Sequence, residues 1–181
     1  MAPDDLQIRI AEPEDAKIVA LLARITFAET FGYLFEKHKG DLRVYLDHTF
    51  GVEKILRSLG NPVNRYWLGF VAGLPVSFAK VKYPSPIPLA QTGNVAQLQK
   101  IYVLRDFVGG GIGRPLIDAV LSDSASRQVD TVWLDVLKEN ARAIRFYERR
   151  GFRMIGEDRY TIGAQTFEFH LMALAGNGIA D

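Results

Sequence analysis

Four of the five positions 109–113 are glycine: Gly109, Gly110, Gly111 and Gly113, with Ile112 between them. Leu98, Ile101, Tyr102, Val103 and Leu104 precede them and read as a strand. A helical pattern follows at once, with Leu116, Ile117, Val120 and Leu121 on one face. Pro115 sits in the first turn, where its missing N–H removes no intrahelical bond. A strand, a glycine turn and a helix start together make a device for holding a phosphate. Glycines let the main chain approach closely, and the free N–H groups and the helix dipole supply positive potential. No Gly-Lys-Ser/Thr follows, so the loop is not a Walker A loop. A dinucleotide fold would place such a turn near the start of a βαβ series, whereas this one lies in the middle of the chain. The plain alternative is a glycine-rich surface turn.

A second stretch adds to the first. Trp133, Leu134, Asp135 and Val136 read as a short strand. Leu137, Lys138, Glu139 and Asn140 follow, then a helix bearing Ala143, Ile144, Phe146 and Tyr147 and closing on Arg149, Arg150, Gly151 and Phe152. Together the two stretches resemble the GCN5-related N-acetyltransferase (GNAT) superfamily, and the resemblance runs from the first strand to the last. The glycine loop is similar to that family's coenzyme A pyrophosphate loop, and residues 140–152 to the motif that follows it: Asn, Ala, Tyr, then Gly-Phe.

The resemblance implies a mixed α/β fold. It has a central, mostly antiparallel, twisted sheet of six to seven strands, splayed at the cofactor cleft and flanked by helices on both faces. It implies acetyl-CoA as cofactor, with Val108, Gly109, Gly110, Gly111, Ile112, Gly113 and Arg114 at the pyrophosphate. The main chain of Ile101, Tyr102 and Val103 would meet the pantetheine amides, and Asn140, Ala143 and Tyr147 would line the arm. Tyr147 is the implied acid for the leaving thiolate, or else a packing residue of its helix. Asn140 either caps that helix or bonds the arm. The family signature has Arg or Gln at the place of Val108, so a side-chain contribution to the loop is missing here while the main-chain donors remain.

The implied reaction is direct attack of an amine on a thioester. An alkylammonium of pKa ~10.4 is no nucleophile until it loses its proton, and the leaving thiolate must gain one. Many relatives carry an acid near the place of Gln97, and an amide cannot accept that proton. The remaining routes are a water relay through Gln97, Tyr102 or Glu29, an amine that enters neutral, or Asp135, whose ordinary role on a short strand is a solvated acid. For the acceptor, Phe27, Glu29 and Phe31, with Tyr45 and Phe50 beyond, are similar to a bacterial subgroup acting on polyamines and other small amines. A carboxylate among rings suits an ammonium, while packing of helices on the sheet would use the same rings. His48 falls in the same region. The three histidines lack metal-ligand spacing, so no metal is expected. The competing readings are an acyl-CoA-sensing domain of the same fold, an enzyme acting on a protein N-terminus, and a nucleotide-binding domain.

These residues need elements to position them. Alternation predicts a strand over 6–10. Pro13 and the acids beside it open a helix whose buried stripe is expected at Ile18, Leu21, Leu22, Ile25 and Ala28, with a break at Gly32. Shorter helices are expected around residues 42–50 and 52–59, and a hairpin over 65–71 and 75–82 with its turn at Ala72, Gly73 and Leu74. Residues 83–94 carry three prolines and read as a loop. A helix over 114–128, a strand over 131–136, a helix over 139–150 and strands over 152–160 and 166–174 complete the chain. Residues 175–181 read as a frayed end.

The 181 residues suit one domain, taken as 1–181. A hydrophobic content of 48% and a charged content of 24% are those of an ordinary globular protein, and a net charge of +1 favours neither nucleic acid nor a membrane surface as partner. The absence of cysteine excludes disulfides and an acyl-cysteine intermediate. The acidic start does not fit a signal peptide, and no stretch reads as a membrane helix, so a cytoplasmic location is expected. Exposed apolar residues on the last strands leave room for a homodimer.

Overall fold

The computed structural model describes residues 2–88 and 93–176. Among these described residues are seven strands and five α-helices. They are β1 (Gln7–Ile10), α1 (Ala16–Phe31), α2 (Lys39–Thr49), α3 (Val52–Leu59), β2 (Asn64–Val71), β3 (Leu74–Lys82), β4 (Val95–Val103), α4 (Gly113–Ser126), β5 (Thr131–Leu137), α5 (Ala141–Glu148), β6 (Arg153–Ile162) and β7 (Gln165–Ala175). Hydrogen-bonded neighbours follow the order β1-β2-β3-β4-β5-β7-β6. Part of the expected loop, 89–92, and the expected frayed end beyond Gly176 lie outside the described residues.

The chain divides into two compact units, and β4 contributes to both. The first holds residues up to Val81 and Lys100–Val120; the second holds Lys82–Gln99 and residues from Leu121 on. In the first, β1 pairs antiparallel with β2, from Gln7 opposite Phe70 to Ile10 opposite Trp67. The β2–β3 hairpin turns through Ala72 and Gly73 at φ 49° and 77°, two left-handed residues whose twist suits a two-residue turn.

Helix α1 presents a different face from the one expected. Val19, Ala20, Leu22, Ala23, Thr26 and Phe27 are buried, while Leu21 and Ile25 are exposed. The helix is apolar nearly all round, so its pattern does not single out a face. Thr26 joins the buried side because its hydroxyl donates to the Leu22 carbonyl at 2.7 Å. The α-helix ends at Phe31 with Gly32 as its cap, where the break was expected, and a 3₁₀ turn, Gly32–Phe35, follows. The continuous helical run Pro13–Phe35 is long and apolar enough to pass a membrane-helix test, contrary to the sequence reading. Its buried stripe is that of a core helix.

In the second unit β5 pairs antiparallel with β7 from Thr131 opposite Ala175 to Leu137 opposite Phe169, and β7 pairs with β6. Strand β4 lies parallel to β5 over three residue pairs only: Val95 with Thr131, Ala96 with Val132 and Gln97 with Trp133. Each strand continues past the last of these pairs.

Candidate active site

The glycine cluster lies between a 3₁₀ turn, Arg105–Phe107, and α4. Gly109 and Gly111 have φ of 97° and 80°, which side-chain-bearing residues rarely adopt. Ile112, Leu116, Ile117 and Val120 are buried and anchor the helix start. Val108 N–H donates to Arg105 O and Gly110 N–H to Phe107 O, so these two donors are used within the loop. Among the described residues none accepts a hydrogen bond from the N–H of Gly111, Ile112 or Gly113. These consecutive donors at a helix start fit a pyrophosphate. The Val108 side chain is exposed, and Arg114 reaches back toward Asp118 at 3.9 Å across a solvated helix face.

Where the β4–β5 ladder ends, side chains take over. Gln97, buried, donates from Nε2 to Asp135 Oδ1 at 2.9 Å. Its Oε1 accepts from Ser85 Oγ at 3.2 Å and from Gln99 Nε2 at 3.0 Å. Ser85 is fixed in turn, since its carbonyl accepts the indole N–H of Trp133 at 2.7 Å. The donor given to Asp135 favours its ionised form. The Asp135 carboxyl is thus held in place across the seam by Gln97.

Tyr147 lies on α5, whose start and end are both set by side chain and backbone. Asn140 Oδ1 accepts the Ala143 N–H at 3.1 Å, so Asn140 does the capping half of what was expected of it. Gly151 at φ 85° turns the chain, and Phe152 N–H bonds back to Tyr147 O at 3.1 Å. The Tyr147 ring is buried against Phe146 and Phe152 at centroid distances of 5.4 and 5.7 Å. Packing and chemistry are thus compatible in this residue. Burial, and then the negative charge of Asp135, push the phenol well above its ordinary pKa, so it keeps its proton. Among the described residues none hydrogen-bonds its hydroxyl. Tyr160 also feels Asp135; burial first and that carboxylate second raise it to about 12.

The expected acceptor residues are partly brought together. Phe27 contacts Phe31, Tyr45 and Phe50 at 4.9, 4.8 and 5.7 Å between ring centroids. Phe31 meets Tyr102 edge-on at 6.3 Å. Glu29 Oε2 accepts the Arg105 N–H at 2.9 Å, and Arg105 Nη2 donates to Glu29 O at 2.8 Å. The Glu29 carboxylate thus straps α1 to the segment after β4. His48 lines a polar groove of about 670 Å³ with Asp47, Lys54, Arg57, Asn61 and Asn64, whose lining includes none of those rings. Ile101, Tyr102 and Val103 are half-buried at the end of β4, beyond its last β5 partner. The roles of Ser85, Gln99 and Arg105 were not foreseen. Ser85 and Arg105 act largely through the main chain, which leaves no signature in residue type.

Comparison with known proteins bears on this arrangement. The pattern of the acetyltransferase (GNAT) family matches residues 26–152. Over 156 residues the chain is 22% identical to an uncharacterized N-acetyltransferase in the pepI 3′ region of Lactobacillus delbrueckii subsp. lactis, covering 86% of this chain and 88% of that protein. A shorter stretch of 57 residues is 42% identical to the ribosomal protein bS18-alanine N-acetyltransferase of Salmonella typhimurium, covering 32% of this chain and 38% of that protein. In fold it resembles the PaiA N-acetyltransferase of Thermoplasma acidophilum solved with coenzyme A, at a TM-score of 0.74 and 19% identity over 94% of this chain and 98% of that one. The family match spans most of the chain and takes in both the glycine loop and Tyr147, and the protein therefore belongs to the acetyltransferase (GNAT) family.

Proposed function

We propose that residues 1–181 act as one domain, in the cytoplasm, and use acetyl-CoA to acetylate a primary amine of a small molecule by direct attack in a ternary complex. The observation that carries this reading is the pairing of two groups with opposite proton tasks: Asp135, held as a carboxylate by Gln97, and Tyr147, held as a phenol by burial and by Asp135 itself. A pure binding domain needs neither.

When bound, acetyl-CoA supplies an acetyl thioester activated toward amines. The N–H groups of Gly111, Ile112 and Gly113 and the dipole of α4 hold its phosphates. The main chain of Ile101, Tyr102 and Val103 offers donors and acceptors to the pantetheine amides, and one such N–H is suited to an oxyanion. Asp135 takes the proton that the acceptor ammonium must lose, while Gln97, which cannot accept a proton, keeps the carboxylate aimed. Tyr147 Oη gives its proton to the departing sulfur.

Calorimetric titration with acetyl-CoA, run beside thiol release over a panel of small amines and an alanine-starting peptide, tests this. Binding with turnover on small amines is expected. Binding without turnover on any acceptor would favour a sensing domain instead, and absence of binding would refute the loop assignment. A second reading, acetylation of a protein N-terminus, draws support from the similarity to the ribosomal alanine acetyltransferase; turnover of the peptide alone would favour it.

A further inference from the structure

Glu29 and Arg105, 76 residues apart, meet through two bonds that use main chain and side chain from each side. Arg105 N–H donates to Glu29 Oε2 at 2.9 Å, and Arg105 Nη2 donates to the Glu29 carbonyl at 2.8 Å. Each bond serves the end of an element. Arg105 opens the 3₁₀ turn Arg105–Phe107, and the first N–H of such a turn has no partner inside it. Leu104, which precedes it, has no side-chain acceptor to offer, so the Glu29 carboxylate supplies the cap from another element. The Glu29 carbonyl lies in the last turn of α1, where a guanidinium also meets the negative end of the helix dipole.

The turn so capped leads directly into the glycine loop. Leu104 O accepts the Phe107 N–H at 2.9 Å, Arg105 O the Val108 N–H at 3.0 Å, and Phe107 O the Gly110 N–H at 3.1 Å. A Cβ at Gly110 would lie 3.2 Å from Phe107 O, so turn and loop are in close contact. The open donors of Gly111, Ile112 and Gly113 come next. Among the described residues, no side chain other than those of Glu29 and Arg105 takes part in a hydrogen bond with residues 104–113. By charge alone, a carboxylate at the entry of a phosphate loop weakens the binding of an anion. What it gives in return is order, because a loop already held in its bound form loses less freedom on binding.

We propose that Glu29 is a positioning residue for the cofactor loop. Its carboxylate holds the 3₁₀ turn from which the donors of Gly111, Ile112 and Gly113 are set, and it acts through Arg105 rather than on the acceptor amine. Helix α1 then carries both the acceptor-side rings Phe27 and Phe31 and the anchor of the cofactor loop. This rests on the reading of the glycine loop as the seat of the coenzyme A phosphates.

Calorimetry with coenzyme A, which needs neither acceptor nor turnover, tests this on the wild type, Glu29→Ala and Glu29→Gln. Glu29→Ala should raise Kd ~10-fold, in line with the loss of a hydrogen bond to a charged group, and Glu29→Gln, which keeps an acceptor oxygen, ~3-fold. In the unliganded protein, amide hydrogen exchange over residues 104–113 should quicken in the same order, while β2 and β3 exchange as in the wild type. In turnover, KM for acetyl-CoA should follow Kd, and KM for the amine should stay at its wild-type value. A Kd left unchanged in Glu29→Ala would overturn the proposal. So would a lowered Kd, which charge alone predicts, or a rise confined to the KM of the amine, which a carboxylate reading the acceptor ammonium predicts. Failure of the wild type to bind coenzyme A would refute the loop reading and this role with it. Binding by the wild type that Glu29→Ala matches would refute this role alone.

Discussion

The Gln97–Asp135 seam and the Phe27–Phe50 wall each fix their side chains, by different physics. The seam uses directional bonds: Trp133 to Ser85, Ser85 to Gln97, and Gln97 to Asp135. Each of these donors has one acceptor, so the position of each member depends on the next. The wall uses rings at 4.8–5.7 Å around Phe27, where each contact is weak and shared. A seam of this kind fixes the direction of each polar group. A wall tolerates a change of acceptor with small losses. Chemistry is thus expected to be brittle in this protein and acceptor choice forgiving.

That contrast can be broken most sharply at Tyr147. Tyr147→Phe keeps the ring packing and removes only the proton, and kcat should fall ~10²–10³-fold with an unchanged melting temperature. Because burial raises the phenol, the wild-type rate should show no loss from its ionisation below pH ~10. Asp135→Asn should lower kcat by ~10–100-fold and abolish the acid limb of the pH–rate profile, since the group whose protonation creates that limb is gone. A variant that retained the limb would place the proton acceptor elsewhere. Phe27→Leu tests the wall: ~1–2 kcal/mol of stability lost in urea unfolding, with kcat for the best acceptor changed less than threefold. A large kcat loss there would erase the distinction between the two regions.

The smallest effect is expected at the start of the chain. Buried Asp15 takes both Arg9 guanidinium nitrogens, at 2.7 and 2.8 Å, and the Glu12 N–H at 2.9 Å. The bond from Arg9, more than its charge, holds the carboxyl below the usual carboxylate range. A depressed folded-state pKa stabilises above the unfolded value of ~3.9 and loses that contribution as pH falls through the folded value. Arg9 is largely exposed, so solvent screens the pair. Asp15→Asn should then cost about 1 kcal/mol between pH 5 and 8, a difference that shrinks below pH ~4 in parallel urea titrations.

What could be read from the sequence was what the main chain dictates. The positive φ at Gly109 and Gly111 restricts those positions to glycine, so the loop leaves a mark in residue type. So does the Asn140 cap, and so does Gly151 at the end of α5. The seam left little mark, because Gln97 and Asp135 meet only through the parallel register of β4 on β5, and register is not written in either strand alone. The face of α1 was misjudged for a related reason: with Leu21 and Leu22, and Ile25 and Thr26, adjacent, the sequence offers two stripes, and the buried one is selected by packing and by the Thr26 bond to Leu22. His48 shared a region with the rings in sequence, but it lines the groove beside Asp47 and Lys54 while Tyr45 packs on Phe27.

Trp133 gives the seam an optical consequence. Its indole is 3% exposed, and its N–H is tied to Ser85, one hydrogen bond away from Gln97. An indole so placed emits at short wavelength, and its quantum yield responds to any rearrangement of the carbonyl it bonds. The chain's other tryptophan, Trp67, sits equally buried on β2, in the other compact unit. The protein therefore carries two intrinsic fluorophores, one in each unit, and Trp133 is the one bonded into the Gln97–Asp135 seam.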